Sequence, residues 1–288
     1  MIPLISSLCR GPWGVCQLPR FWWKALTRSK GLLDEEYPEC SGGLDTFVMQ
    51  TLELDRENTL EFLGDTTPSY LEFESWVLDQ CGGGPVWKCV NGWNDFNYGR
   101  QHYRPSKIAE TYGDSGLPDD SPITSAVILN CLQDWQLFFE RDLENGLAAF
   151  EGKVVPLISS LDYGPLNLRH LPRMWLKLHL EARGNLDAES VDEADHHRDE
   201  NLLELIGASV TAFTRFFDDE KPHYLDLEAW VTANTTGSTD LDKRRAWNSQ
   251  IAALGQAGEV SGHQRPAADS PVDRENLANW KRAYEIVF

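Results

Sequence analysis

The sequence predicts a mainly α-helical protein made of two tandem copies of one helical domain, and three observations carry that expectation. Residues 3–33 and 156–186 align without a gap and agree at 15 of 31 positions, both opening on PLISSL. Unrelated segments of average composition would agree at about two. The echo then continues: TPSYLEFESWV at 67–77 is answered by KPHYLDLEAWV at 221–231, and Trp93-Asn94 by Trp247-Asn248. Near the two ends, DSP at 120–122 is answered by DSP at 269–271, and Trp135 with Glu140 by Trp280 with Glu285. Finally, the apolar spacing is helical, and no convincing alternation of period two appears. A period of about 150 residues means domain-sized copies rather than a solenoid. The expected domains are 1–145 and 153–288, joined through NGLAAFEGKVV at 145–155 and packed as a pseudo-twofold pair, an intramolecular counterpart of a homodimer.

The elements follow in order. PRFWWKALTRSKG and PRMWLKLHLEARG each place a proline at a first helical position and a glycine after the last turn. Leu44, Phe47, Val48 and Leu52 recur at helical spacing. Thr66 or Thr67 ahead of Pro68 is expected to open the next helix, closed by the glycines at 82–84. Ser121 to about Asp142 reads as a capped helix with Pro122 in its first turn. The intervals 78–119 and 232–270, richer in Gly, Asn and Pro, read as long connections with short helices, with 84–92 ambiguous.

Composition narrows the partners. A net charge of −19 disfavours nucleic-acid backbones and anionic membranes, and no apolar run is long enough to span a bilayer. The start, MIPLISSLCRGPWGVC, lacks a basic n-region and shows no targeting segment, so a soluble, cytoplasmic protein is expected. All six cysteines lie in the first copy and none in the second, which argues for free thiols rather than a disulfide framework.

Leu18-Pro19-Arg20 with Lys24, Gly31 seven residues later, then Tyr37, Cys40, Leu44-Asp45, a helix ending Trp76-Val77, and Trp93-Asn94 form an ordered set of motifs. In this the chain resembles the bacterial family catalogued as domain of unknown function 5069. The resemblance implies helical globular architecture in a soluble protein and brings no reaction with it. The first copy keeps the Tyr-x-x-Cys element at Tyr37 and Cys40, whereas the second has SVDEADHH there.

The candidate chemistry centres on the basic opening of each copy. Residues 9–30 hold Arg10, Arg20, Lys24, Arg28 and Lys30 without a single acid, in a chain with 45 of them. Arg20 and Lys24 share a helix face at i, i+4, as do Arg173 and Lys177, and an arginine fork suits a carboxylate or phosphate. The ligand-site candidates are therefore Arg20, Lys24 and Trp22 in the first copy and Arg173, Lys177 and Trp175 in the second. The competing expectation is that the basic pairs are internal struts satisfied by Glu74 and Asp45, with the tryptophans in the core. Three functions are carried forward: a protein binding an anionic small molecule or a protein partner; an enzyme acting on a carboxylated or phosphorylated compound, with Cys40 and Tyr37 as catalytic candidates beside Arg20 and Lys24; and a subunit docking through a surface around Trp13 and Trp23. EADHHRDE at 193–200 has carboxylates and imidazoles at i, i+4 but no third ligand, so it reads as a solvated acidic face. No metal and no cofactor is expected.

Overall fold

The computed structural model describes residues 1–83, 87–237, 240–254 and 271–288, and among these the chain forms thirteen α-helices and no strand. The first half contains α1 (Leu18–Ser29), α2 (Leu44–Thr51), α3 (Arg56–Thr66), α4 (Tyr70–Gln80), α5 (Trp87–Gly99), α6 (Pro105–Ser115) and α7 (Ala126–Phe138). The second contains α8 (Leu171–Glu181), α9 (Glu193–Ile206), α10 (Val210–Glu220), α11 (Tyr224–Asn234), α12 (Leu241–Leu254) and α13 (Pro271–Val287). No helix of the described residues is long and apolar enough to cross a membrane.

The motifs shared by the halves make the same bonds. The indole of Trp22 donates to the Pro68 carbonyl and that of Trp175 to the Pro222 carbonyl, both at 2.9 Å. Trp93 donates to the Cys16 carbonyl and Trp247 to the Arg169 carbonyl, again at 2.9 Å. Asn94 caps the Gly14 carbonyl and Asn248 the Asn167 carbonyl. Gln17 and His170, at the N-caps of α1 and α8, both take the left-handed conformation with φ of 73° and 74°. Buried tyrosine–glutamate pairs close the motif: Tyr70 to Glu74 at 3.0 Å and Tyr224 to Glu228 at 2.7 Å. Gly11 and Gly164 let these pairs sit against the backbone, since a Cβ there would lie 2.2 Å from Tyr70 and 2.4 Å from Tyr224.

The packing units do not follow the sequence units. Trp135 on α7 is buried edge-on against Tyr224 of the second half (centroids 4.6 Å apart), and Phe139 packs on Trp175 and His179. Reciprocally, Trp280 on α13 lies edge-on to Tyr70 of the first half at 5.4 Å. Tyr284 packs on Trp22 and donates to the Thr67 carbonyl at 2.7 Å, and Phe288 packs on Trp23. Each half thus lends its last helix to the other's core. The segment expected to link the copies is itself packed, with Leu147, Phe150 and Val155 buried in the second-half core.

Several boundaries differ from expectation. Thr67 ends α3 in a left-handed turn, and Ser69 starts α4 through a capping box with Glu72. Residues 121–125 are extended rather than helical. The Tyr112 hydroxyl donates to the carbonyls of Ser121 and Ile123, each at 2.7 Å, and Gln101 bridges to Ser125. The helix therefore starts at Ala126 and ends in a π turn over Phe139–Leu143. The intervals taken for connections contain three regular helices, α5, α6 and α12, and part of the ambiguous stretch 84–92 lies outside the described residues.

Candidate functional site

Helix α1 presents two faces to two environments. Phe21, Trp22 and Trp23 point into the first-half core, so Trp22 is a packing residue and not a site residue, and Trp175 on α8 has the same role. Trp23 is buried and Trp13 only half-buried, so among the described residues no exposed apolar docking surface forms around them. Arg20 and Lys24 emerge on the other face, at the wall of a cavity of about 390 Å³ that Tyr37 and Asp134 also line.

Both basic groups already have partners. Lys24 Nζ donates to Asp45 Oδ2 at 2.5 Å, and Gln17 Nε2 and the Ser41 amide converge on the same carboxylate. Although burial opposes it, Lys24 leads the groups that hold Asp45 below its ordinary pKa. Arg20 is not paired with Glu74, which instead accepts from the Tyr70 hydroxyl and the Trp13 amide. Its Nη1 donates to the carbonyls of Pro3 and Ile5, both at 2.9 Å, and lies 2.8 Å from Asp134 Oδ2 on α7. Tyr37 donates to Asp134 Oδ1 at 2.7 Å. Burial, reinforced by Asp134, raises that phenol well above its ordinary range, so Tyr37 acts here as a donor and not as a base.

Cys40 is not part of this wall. Its side chain is buried in the first-half core and its thiol is raised, burial being the main cause. A nucleophile needs a thiolate near neutral pH. Cys40 therefore does not join Arg20, Lys24 and Tyr37 in a catalytic set. Among the described residues, no group of three or more His, Cys, Asp and Glu side chains is placed to hold a metal ion.

The opposite wall brings residues that the sequence did not single out. Arg100 and His102 come from the turn after α5, and Lys107 from α6, where it pairs with Glu110 at 2.8 Å. Arg100 is half-buried, and no ion pair joins it to a carboxylate among the described residues. Its Nε is buried without a partner, and Nη2 meets the Asn130 side-chain oxygen at 2.8 Å once that amide is turned end for end, the orientation that satisfies both of its ends. Burial lowers its pKa to about 10, with Cys131 the sole compensating group. His102 is lowered as well, by burial first and then by Arg100, so its imidazole is neutral at pH 7.

In the second half the same position is closed. Arg173 forks onto Asp195 at 3.0 and 3.2 Å and lies 3.0 Å from Glu275. Lys177 holds Asp199 at 2.6 Å and Asp195 at 3.1 Å, and His170 meets Asp199 at 2.9 Å. Arg198 completes the network on Glu275. Arg173 and Lys177 are thus neutralised internally and present no open ligand site. The run at 193–200 is not simply a solvated face either: Asp195 is fully buried and Asp199 is an ion-pair partner, while His196 and His197 face solvent. Aligned between the halves, Asp195 stands at Ser41 and Glu275 at Asn130. Small and neutral residues in the first half leave open the space that two carboxylates fill in the second. No protein-family model, curated protein or solved structure matches the chain.

Proposed function

We propose that the protein binds an anionic small molecule in the first-half cavity, with Arg100 as the group that meets the anion and Arg20, Lys24 and Tyr37 as the rigid wall behind it. The reading is carried by Arg100, a half-buried guanidinium with no carboxylate partner among the described residues. Taking an ion out of water is costly unless it is paired, and a bound phosphate or carboxylate supplies the missing partner with fork geometry. The second half supports the reading by contrast, because Asp195 occupies there, between Arg173 and Lys177, the place that Ser41 leaves vacant in the first.

The test is a thermal-shift screen against phosphorylated and carboxylated metabolites at fixed ionic strength. A ligand at about 100 times its Kd adds roughly 2.7 kcal/mol, worth several degrees for a chain of this size. The wild type should shift, and Arg100→Gln, which keeps a hydrogen-bonding side chain but loses the charge, should not. An equal shift in both proteins would remove Arg100 from the site, and no shift with any anion would leave the cavity without this role.

A further inference from the structure

We infer that the preferred ligand joins its anionic group to a planar aromatic end, as a nucleoside monophosphate does; this rests on the anion-binding reading above and specifies the ligand class of that site. The cavity does not end at Arg100. Gly43, Arg100, His102 and Lys107 also line an adjoining cleft of about 910 Å³, so one basic rim serves both spaces. The floor of that cleft is aromatic. Phe47 on α2 and Phe96 on α5 meet edge to face at 6.4 Å, and they remain 44% and 49% exposed, with Tyr103 beside them at 81%. Phe96 also packs on Trp93 at 5.9 Å, but the clustering of three part-exposed rings at one cleft makes an apolar patch of the kind a ligand covers.

Charge marks the same place. From Phe96 to Ala109 the chain carries Arg100, Arg104 and Lys107 and no acid, although the whole chain is at −19; Glu110 follows and pairs with Lys107 at 2.8 Å. Among the described residues, Asp95 is the one carboxylate lining the cleft. In the sequence of the second half, Asn201 and Gln250 stand where Phe47 and Phe96 do, and Leu254 where Arg100 does. A base or other flat ring stacks on such a floor with little regard to its identity, while the guanidinium holds the phosphate.

The experiment measures the affinities of adenosine 5′-monophosphate, ribose 5-phosphate and inorganic phosphate for wild type, Phe96→Ala and Arg100→Gln by titration calorimetry. Stacking predicts that the nucleotide binds wild type about 5- to 100-fold more tightly than ribose 5-phosphate, and that Phe96→Ala erases this margin while leaving ribose 5-phosphate unchanged. Arg100→Gln should weaken all three. Equal affinities for the nucleotide and ribose 5-phosphate, or an equal loss of both in Phe96→Ala, would overturn the aromatic class and leave the anion site standing. Failure of all three to bind wild type would overturn both.

Discussion

Glu228 couples the fold to pH, although its side chain is buried. It accepts from the Tyr224 hydroxyl and from the Leu166 amide, beneath Gly164. Burial outweighs these bonds and pushes its pKa up to about 7. An acid raised in the folded state holds its proton there more tightly than in the unfolded chain, so folding is favoured at low pH and loses that advantage as pH rises from about 4.5 through 7. Buried neutral histidines such as His179, lowered to about 4 by burial, act in the opposite direction over part of that range. A difference between two proteins isolates the glutamate. Relative to Glu228→Gln, which keeps an oxygen acceptor, wild type should gain about 2–3 kcal/mol of unfolding free energy between pH 8 and pH 5. Urea unfolding at a series of pH values measures it, and parallel curves for the two proteins would mean that Glu228 is ionised in the fold.

Helix α13 shows how much an element contributes to a core it does not adjoin in sequence. Trp280 is 1% exposed between Tyr70 and the rest of the first-half core, and Tyr284 ties the helix to the end of α3 through Thr67. Truncating so large a buried ring leaves a cavity, and Trp280→Ala should cost about 3–5 kcal/mol, read as a fall in the urea midpoint at unchanged slope. The loss should appear in probes of the first half, such as alkylation of Cys40. Loss of second-half structure alone would contradict this packing. The sequence made Trp280 visible, because the repeat matched it to Trp135, but not its destination. Helical period places a ring on a face and says nothing about which core receives it. Helices α1 and α2 were legible from Pro19 and apolar spacing, and the end of α4 from the glycines at 82–84, whereas its expected caps Thr66 and Thr67 belong to the end of α3. The start of α7 was not, because hydrogen bonds from Tyr112 and a pairing with Gln101, both distant in sequence, override the local signal of Ser121-Pro122. The site divided in the same way. Arg20 and Lys24 stood out because both halves retain them, whereas Arg100 and Asp134 differ between the halves, with Leu254 and Asn279 at the aligned positions. A comparison that keeps shared residues finds the common frame and discards what makes one half open.

At the scale of the molecule, each half's last helix is packed into the other half's core. The first core includes Trp280 and Ala283, and the second includes Met1, Ile2, Leu4 and Trp135. Further bonds cross the same seam: His223 Nδ1 meets Gln136 Oε1 at 3.0 Å, and the Ser6 hydroxyl donates to Asp162 at 2.8 Å. A half cut out at residue 145 or 153 would expose on one side the groove that received a tryptophan helix and on the other the helix that filled its partner's groove. Such a fragment loses core area and gains apolar surface together, which small helical units do not tolerate. Fragments 1–150 and 151–288, expressed separately, should therefore be poorly folded or self-associated by circular dichroism and sedimentation. Mixed in equal amounts, they should regain the helical signal and unfold near the intact protein, at a midpoint that rises with fragment concentration because association has become bimolecular. Independent, cooperative unfolding of each fragment as a monomer would mean that the exchanged helices add little to either core. Recovery on mixing would make the seam, rather than the connection at 145–155, what holds the halves together.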